Sequence, residues 1–277
     1  MVAKSSPKRL IGGSSGIGLS IVQILVSKGA TVVNLDRSPP SDDQPQDVEW
    51  VKTDVTDWES QLGAFKRTIA KHGHVDTVFA NAGIAEGEMA LAEKIDPATG
   101  DPLEPSWSTV RVNLIGLLIT VKLALHYMKK DQKGGCIILT TSRAGYMPGV
   151  MPVYGATKHG AVGLLRSLKF HTPKWNIRIN AIAPHVTQSG MTAGSQALFK
   201  EAGLPFQTAE QVALAGAYLA EESNTMNGKC IACTQGRYRE VEDNVEATRW
   251  QVFGEDDFVP KTEKELEAIL STQTVRW

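Results

Sequence analysis

Short apolar runs alternate with longer amphipathic stretches along most of this chain. The apolar runs have the length of buried strands, and the stretches between them place apolar residues on one face of a helix. The predicted strands are Leu10–Gly13, Thr31–Asp36, Val48–Thr53, Val75–Asn81, Cys136–Ser142, Ile177–Ala183 and Lys229–Thr234. The predicted helices are Gly16–Lys28, Asp57–His72, Trp107–Lys130, Pro152–Trp175 and Ala209–Ala220.

Repeated strand–helix alternation with apolar strands predicts an α/β fold, in which helices cover both faces of a doubly wound, parallel, seven-stranded sheet. We expect one domain over residues 1–235, which includes a substrate loop at 185–206, and a C-terminal extension over 236–277. In the extension, Tyr238–Phe253 and Glu263–Leu270 have helical patterns. The extension is interpreted as a surface element that packs on the body of the domain or on a neighbouring subunit, with a flap over the substrate cleft as the alternative.

Composition narrows the class of protein further. The 277 residues are 42% hydrophobic and 21% charged, which is ordinary for a globular protein, and the net charge is -1. This balance gives no reason to expect nucleic acid as a partner. We also expect no membrane span, because no apolar run looks long enough. Met1–Arg9 is polar and does not have the pattern of a signal peptide, so a cytoplasmic location is expected.

Three cysteines are present, and Cys230 and Cys233 have CxxC spacing. A zinc site or a redox dithiol would need this spacing, but no second Cys or His pair follows it. We therefore interpret the cysteines as small buried apolar residues and expect no metal.

The most informative stretch for chemistry is Tyr154–Lys158. A Tyr and a Lys four residues apart lie on one face of a helix. A cation close to a phenol favours the phenolate, so we expect Lys158 to lower the pKa of Tyr154 into the range useful for general acid–base catalysis. Ser142 precedes this pair and can hydrogen-bond the same substrate oxygen. The arrangement is suited to proton exchange with an alcohol oxygen.

A glycine-rich turn, Gly12–Gly18, lies between the first strand and the first helix. Such a turn lets backbone amides and the helix dipole approach a pyrophosphate. Asp36 ends the second strand about twenty residues later, where a carboxylate can bind the ribose 2′-hydroxyl and repel a 2′-phosphate. Arg37 follows and could bind that phosphate, but the turn itself holds no basic residue. NAD(H) is therefore the preferred cofactor, with NADP(H) as the alternative.

Taken together, these features resemble the short-chain dehydrogenase/reductase family over residues 10–235. The matching motifs are GGSSGIG (Gly12–Gly18), Asp54-Val55, NAG (Asn81–Gly83), Asn113, Ser142 and YxxxK (Tyr154–Lys158). A shorter match, around Pro152–Tyr154 and Lys158–Gly160, is similar to the NAD-dependent 15-hydroxyprostaglandin dehydrogenase branch. The family resemblance implies a Rossmann fold.

The resemblance implies four catalytic residues. Tyr154 would be the general acid/base, Ser142 would orient the substrate oxygen, and Lys158 would lower the Tyr154 pKa and hold the nicotinamide ribose. Asn113 would hold a helix irregularity and a water that links Lys158 to solvent. The cofactor would be contacted by Gly12, Ser14, Ser15, Gly16, Ile17, Gly18, Asp36, Arg37, Asp54, Val55, Asn81, Ala82, Gly83, Tyr154, Lys158, Pro184, Val186, Thr187 and Ser189.

The chain departs from the family pattern in two places near the expected cofactor. Ile11 stands where the family usually has Thr, and Pro7–Arg9 would fall inside a central strand that is normally apolar. The first strand is therefore expected to start at Leu10, or the N-terminus takes another path. His185 replaces a family Gly after the sixth strand, and Ser189 replaces a Thr but keeps the hydroxyl.

The substrate is expected at the carboxyl ends of the strands, where open α/β sheets bind ligands. The candidate cleft walls are Ile84–Met89, Ala144–Val153 and Met191–Phe206. Their apolar members are Met147, Val150, Met151, Met191, Leu198, Phe199, Leu204 and Phe206, and their charged members are Glu86, Glu88, Lys200 and Glu201. Apolar walls with few polar anchors suit a lipophilic secondary alcohol or ketone, such as a steroid-, prostanoid- or polyketide-like molecule.

Three functions remain open at this point. The first is an NAD-dependent dehydrogenase that interconverts a secondary alcohol and a ketone. The second is an NADPH-dependent carbonyl reductase of secondary metabolism, and the third is a dinucleotide-binding protein that has lost catalysis. The resemblance also implies a homodimer or homotetramer, packed through the helices at Trp107–Lys130 and Pro152–Trp175.

Overall fold

The structure, a computed structural model, describes residues 7–130, 132–203, 206–221 and 225–253. The strands are β1 (Pro7–Ile11), β2 (Thr31–Asp36), β3 (Glu49–Lys52), β4 (Thr77–Ala80), β5 (Gly135–Thr140), β6 (Ile177–Pro184), β7 (Cys230–Thr234) and β8 (Arg237–Glu240). The expected helix Glu263–Leu270 and the cleft residue Leu204 lie outside the described residues, as do the side chains of Pro7–Ile11 and Leu198.

All eight strands form one sheet in the order β3-β2-β1-β4-β5-β6-β7-β8. The first seven are parallel to their neighbours, which confirms the predicted doubly wound sheet. Strand order reverses between β1 and β4, and the crevice at such a switch point is where these sheets bind ligands. The motifs found in the sequence follow β1, β4 and β5, so the topology brings them to this crevice.

The eighth strand corrects the expected count of seven strands and the expected helix at Tyr238–Phe253. β8 runs antiparallel to β7, with Thr234 opposite Arg237. The two residues between them, Gln235 and Gly236, have φ of 51° and 72°. Positive φ at both central residues matches the right-handed twist of a two-residue hairpin. The helix therefore begins only at Glu242, and the sheet continues past residue 235.

Helices cover both faces of the sheet, as predicted. The helices are α1 (Gly16–Ser27), α2 (Trp58–His72), α3 (Ser108–Val110), α4 (Leu117–Lys130), α5 (Pro152–Leu168), α6 (Gln196–Glu201), α7 (Ala209–Leu219) and α8 (Glu242–Phe253). One hydrophobic core packs α2, α4 and α5 on the sheet, and the other packs α1 and α7 on its opposite face. Burial of these two apolar layers is the main force that holds the fold together.

Most other boundaries differ from the sequence prediction by one or two residues, and two differ by more. The helix expected over Pro152–Trp175 ends at Leu168, because Pro173 lacks an N–H group and Asn176 turns the chain with a φ of 55°. β1 starts at Pro7 rather than Leu10, and its backbone pairs with β2 from Pro7 onward and with β4 from Lys8 onward. Residues 7–11 thus form the central strand at the position that the family pattern gives it.

The segment Ser108–Lys130 is long and apolar enough, by length and composition alone, to cross a membrane. The expectation that no apolar run reaches this length is therefore wrong. Its inner face is nevertheless packed in the core, where Val121, Ala124 and Met128 are buried. A core helix of this kind passes the same length and composition test.

Candidate active site

Tyr154 and Lys158 lie one turn apart near the start of α5, as predicted. The Lys158 Nζ donates a hydrogen bond to the main-chain oxygen of Thr140 at 3.0 Å, and it lies 5.5 Å from the centroid of the Tyr154 ring. Thr140 is the last residue of β5, so the lysine ties α5 to the carboxyl end of that strand. Lys158 is 5% exposed, which places its ammonium group among protein atoms.

The pKa values of the pair differ from the sequence expectation. Burial raises the pKa of Tyr154, and a hydrogen bond with the Ser142 side chain lowers it in part. Burial also lowers the pKa of Lys158 to about 8. The expectation of a lowered Tyr154 pKa is therefore wrong for this structure, because desolvation of the phenolate is the largest effect on that group.

Ser142 lies just beyond β5 and begins a short 3-10 turn, Arg143–Gly145. Its Oγ accepts a hydrogen bond from the Ala144 N–H at 3.1 Å, and its side chain lies close enough to Tyr154 to lower the pKa of the phenol. The serine is thus fixed at a loop end with its hydroxyl at the tyrosine. This arrangement places two hydroxyl groups where both can reach a single substrate oxygen.

Asn113 lies in a π-helical turn, Arg111–Gly116, between α3 and α4. Such turns are rare and occur often at functional sites. The Asn113 side chain accepts a hydrogen bond from the Ile84 N–H at 2.8 Å and donates one to the Ile84 oxygen at 2.9 Å. The helix irregularity that the family resemblance implies is therefore present. A Cβ built on Gly83 would lie 3.4 Å from Asn113 Oδ1 and 3.6 Å from Lys158 Nζ, so both groups border Gly83.

The glycine turn closes tightly between β1 and α1. A Cβ on Gly18 would lie 1.8 Å from the Gly12 oxygen, and Gly12 and Gly16 have φ of 75° and 52°. A Cβ on Gly12 would come within 2.8 Å of Ala82 Cα, so only glycine fits there. Ser15 is the N-cap of α1 but its side chain makes no capping hydrogen bond, and the first turn holds no acidic residue. The turn and the first helical residues, Gly16 and Ile17, therefore fit a pyrophosphate.

Asp36 connects the end of β2 to the glycine turn. Its Oδ2 accepts a hydrogen bond from the Ser14 N–H at 3.0 Å, and its Oδ1 accepts one from the Ser38 N–H at 3.0 Å. Each carboxylate oxygen keeps a further lone pair, so the group can also accept from a ribose hydroxyl. Ser14 donates its own hydroxyl to the Ser38 oxygen at 2.8 Å, which holds this corner in place.

The remaining predicted contacts fall around the same crevice. Asn81 donates to the Gly12 oxygen and accepts from the Thr140 hydroxyl, both at 2.9 Å, so it joins the glycine turn to β5. Asp54 accepts hydrogen bonds from the N–H and the hydroxyl of Thr56, and these bonds lower the Asp54 pKa. The positive charge of the exposed Arg37 lowers that pKa further. Val55 is buried against Gly116 of the π-helical turn.

The loop after β6 reaches back to the glycine turn. Pro184 ends β6, and a Cβ on Gly16 would lie 3.0 Å from Ser189 Cβ. The Ser189 hydroxyl accepts from the backbone of the following 3-10 turn, and the Thr187 hydroxyl donates to the His185 oxygen at 2.8 Å. His185 is half-buried. Ser189 thus lies next to the turn that the sequence assigned to pyrophosphate.

Three anchoring side chains were missed from the sequence. Gln207 holds both ends of the substrate loop, because it donates to the Cys233 oxygen at 3.0 Å and its N–H donates to the Val186 oxygen at 3.2 Å. Glu86 was expected among the charges of the cleft, but it is buried against the start of α5. The Glu242 carboxylate accepts hydrogen bonds from both Tyr146 and Arg166. No short motif marks any of them, since each partner is distant along the chain.

The cysteines are buried free thiols, which confirms the interpretation of them as apolar residues. Cys230 belongs to the core on one face of the sheet and Cys233 to the core on the other, so the two thiols of the CxxC spacing point apart. Burial raises the pKa of each to about 12. Within the described part of the chain, no group of three His, Cys, Asp or Glu side chains could hold a metal ion.

These features together define a dinucleotide-dependent oxidoreductase of the Rossmann type. The family model described as short chain dehydrogenase matches residues 9–198. The chain therefore belongs to the short-chain dehydrogenase/reductase family, binds NAD(H) or NADP(H), and acts on CH–OH groups.

Relatives and solved structures agree with this assignment. The chain is 36% identical to the short-chain dehydrogenase/reductase prx4 of Penicillium rubens, over 88% of this chain and 78% of that protein. It is 32% identical to (+)-borneol dehydrogenase 1 of Salvia officinalis, over 78% and 87%. Its fold matches the 3-ketoacyl-(acyl-carrier-protein) reductase of Brucella melitensis complexed with NADH, with a TM-score of 0.72, 22% identity, and 84% and 98% of the chains covered.

Proposed function

We propose that this enzyme is an NAD-dependent dehydrogenase/reductase that interconverts a secondary alcohol and a ketone on a lipophilic small molecule. The observation that carries the proposal is the position of the Ser142 side chain beside the Tyr154 phenol, whose pKa it lowers, with Lys158 one helical turn away. Ser142 would orient the substrate oxygen while the Tyr154 phenol gives it a proton or takes one from it. When bound, the nicotinamide ring supplies the hydride acceptor or donor.

Asp36 supports NAD(H) as the preferred cofactor. Its carboxylate lies at the end of β2 and also holds the Ser14 N–H of the glycine turn, so a 2′-phosphate would meet a fixed negative charge there. The competing candidate, an NADPH-dependent carbonyl reductase, is favoured by Arg37, whose exposed charge reaches the neighbourhood of Asp54. The family assignment and the assembled Ser142, Tyr154 and Lys158 support an active enzyme rather than a protein that has lost catalysis.

Apolar side chains at the cleft support a lipophilic substrate. Met147, Val150 and Met191 are exposed at the positions expected to form the cleft walls, and Phe199 packs edge-on against Phe206. Two of the charges expected in the walls have partners within the protein. Glu86 accepts hydrogen bonds from backbone N–H groups, and Glu88 forms an ion pair with Lys94. The name of the sage relative, a borneol dehydrogenase, also agrees with an alcohol of this kind. A steroid-, prostanoid- or polyketide-like molecule meets these requirements.

We also propose a cytoplasmic homodimer or homotetramer. Trp107, Ile115 and Leu118 are large apolar residues that stay exposed along the segment through α3 and α4. A second copy of the chain would remove them from water. The domain limits, with residues 1–235 as the catalytic domain and 236–277 as an extension, stay a proposal, although β8 already joins the extension to the sheet.

The test is calorimetric titration with NAD, NADH, NADP and NADPH, followed by a screen of lipophilic secondary alcohols for NADH formation. Binding of NAD(H) at least tenfold tighter than NADP(H), with turnover of an apolar alcohol, is the expected result. A strong preference for NADPH would favour the carbonyl reductase instead. If none of the four dinucleotides binds, the proposed function is wrong.

A further inference from the structure

The start of the catalytic helix α5 lacks any local cap. Its N-cap residue, Met151, has no hydrogen-bonding side chain, and Pro152 has no N–H group. The Gly155 N–H bonds the Met151 oxygen at 2.8 Å, as in a regular helix. The N–H groups of Val153 and Tyr154 therefore need an acceptor from elsewhere in the fold.

Glu86 supplies that acceptor from the loop after β4. Its Oε2 accepts hydrogen bonds from the Val153 N–H at 2.9 Å and the Tyr154 N–H at 3.0 Å. Its Oε1 accepts from the Ala90 N–H at 3.0 Å, which closes the loop on itself. Glu86 is 8% exposed, so these bonds are made largely out of contact with water. A carboxylate also suits the positive end of a helix dipole.

The loop that carries Glu86 is fixed on its other side as well. Ile84, two residues earlier, is held by both side-chain atoms of Asn113 in the π-helical turn. The NAG segment, Asn81–Gly83, comes directly before it and borders Lys158. One short, doubly anchored loop thus joins the expected cofactor side of the crevice to the backbone of Tyr154.

We propose that Glu86 is a positioning residue for the reaction: it sets the place of the Tyr154 phenol relative to Ser142 and the cofactor by holding the first turn of α5. This inference rests on the proposed function of Tyr154 as the acid/base. A displacement of about 1 Å at a reacting group can cost about a hundredfold in rate. A loose first turn would therefore affect turnover much more than binding of the dinucleotide.

The experiment compares Glu86→Ala, Glu86→Gln and the control Glu93→Ala with the wild-type enzyme. Glu93 lies seven residues farther along the chain, is exposed and falls outside the segments expected to line the cleft. For Glu86→Ala we expect kcat to fall about 10- to 100-fold, with KM and the Kd for NADH changed less than about threefold. The kinetic isotope effect on hydride transfer should rise, because the chemical step becomes slower. Glu86→Gln keeps one acceptor oxygen, so it should recover part of kcat, and Glu93→Ala should match the wild type.

Amide hydrogen exchange at Val153 and Tyr154 gives a readout that does not depend on a substrate. Faster exchange at these two positions in Glu86→Ala is expected even if the proposed activity is wrong. Unchanged exchange, or a kcat per folded molecule that equals the wild-type value, overturns the inference. If Glu86→Ala does not fold, the same two criteria apply to Glu86→Gln, whose amide still fills the site.

Discussion

The Tyr146 hydroxyl donates a hydrogen bond to Glu242 Oε1 at 2.6 Å, although the two residues are 96 positions apart. The same carboxylate accepts two hydrogen bonds from Arg166 of α5, at 2.8 and 3.2 Å. Tyr146 follows Ser142 in one short loop, and Glu242 begins α8. The start of the extension is therefore bonded to the serine loop and to α5, so α8 packs on the body of the domain.

Removal of this carboxylate should weaken the fold around the serine loop. Glu242→Ala is expected to lower the free energy of unfolding by about 1–3 kcal/mol, since Arg166 is partly exposed and water can replace some of the lost partners. Tyr146→Phe should cost about 1 kcal/mol. Urea unfolding measures both, and Asp243→Asn, an exposed neighbour that pairs with Lys229, is the control. Equal losses for Glu242→Ala and the control would contradict the prediction.

Tyr154→Phe should abolish proton transfer while leaving the cofactor site intact. A positioned acid/base contributes about 100- to 10,000-fold to rate, so kcat should fall by at least that lower limit. The Kd for NADH should change little, because the ring and its packing remain. Steady-state kinetics and calorimetry measure the two quantities. Tyr218→Phe, on the exposed side of α7, serves as the control, and similar kcat values for the two variants would reject the role of Tyr154.

Asp36→Ala should shift cofactor choice toward NADP(H). The variant removes the fixed negative charge beside the expected ribose and also frees the Ser14 N–H for a phosphate oxygen. We expect NADH to bind about tenfold more weakly and NADPH to bind more tightly, as measured by calorimetry. Asp42→Ala removes an exposed carboxylate farther along the same loop and should leave the ratio unchanged. An unchanged ratio in Asp36→Ala would show that the carboxylate does not select the cofactor.

Gly18→Ala should disrupt the glycine turn. The added Cβ would lie 1.8 Å from the Gly12 oxygen, so the turn or the helix must move. We expect a loss of more than 2 kcal/mol in unfolding free energy, of the order of other overpacked sites, together with loss of dinucleotide binding. Gly63→Ala in α2 is the matched control, because nothing lies within 4 Å of its Cβ and the change should stabilise the helix by about 0.5–1 kcal/mol.

Burial of Lys158 predicts a pH dependence of stability. Its pKa falls from 10.5 to about 8, so between these pH values the unfolded chain binds more protons at this lysine than the folded protein does. The free energy of unfolding should therefore rise with pH in this window, by at most about 3 kcal/mol. The raised pKa of Tyr154 acts in the opposite direction only above about pH 10.

Chemical unfolding of the wild type and of Lys158→Met between pH 7 and 10 measures this contribution. The stability difference between the two proteins should change in favour of the wild type as the pH rises. A difference that stays constant across this range would mean that Lys158 is not desolvated as the structure indicates.

The local patterns of the sequence predict most of the fold and the candidate catalytic residues, because each pattern depends on neighbours along the chain. Apolar periodicity places β2 at Thr31–Asp36 with both limits correct, and YxxxK spacing sets Tyr154 and Lys158 on one helical face. The glycine turn is likewise a local requirement, since Gly18 must pass the Gly12 oxygen six residues earlier.

Only the tertiary structure decides which residues far apart in sequence come into contact and how burial affects them. Glu86 caps α5 across 67 positions, and Glu242 reaches Tyr146 across 96, and neither carboxylate differs in sequence from an exposed one. The Tyr154 pKa is raised rather than lowered because desolvation depends on how the surrounding elements pack. Local spacing therefore determines which groups are present at the crevice, and three-dimensional packing determines how they are held and how they ionise.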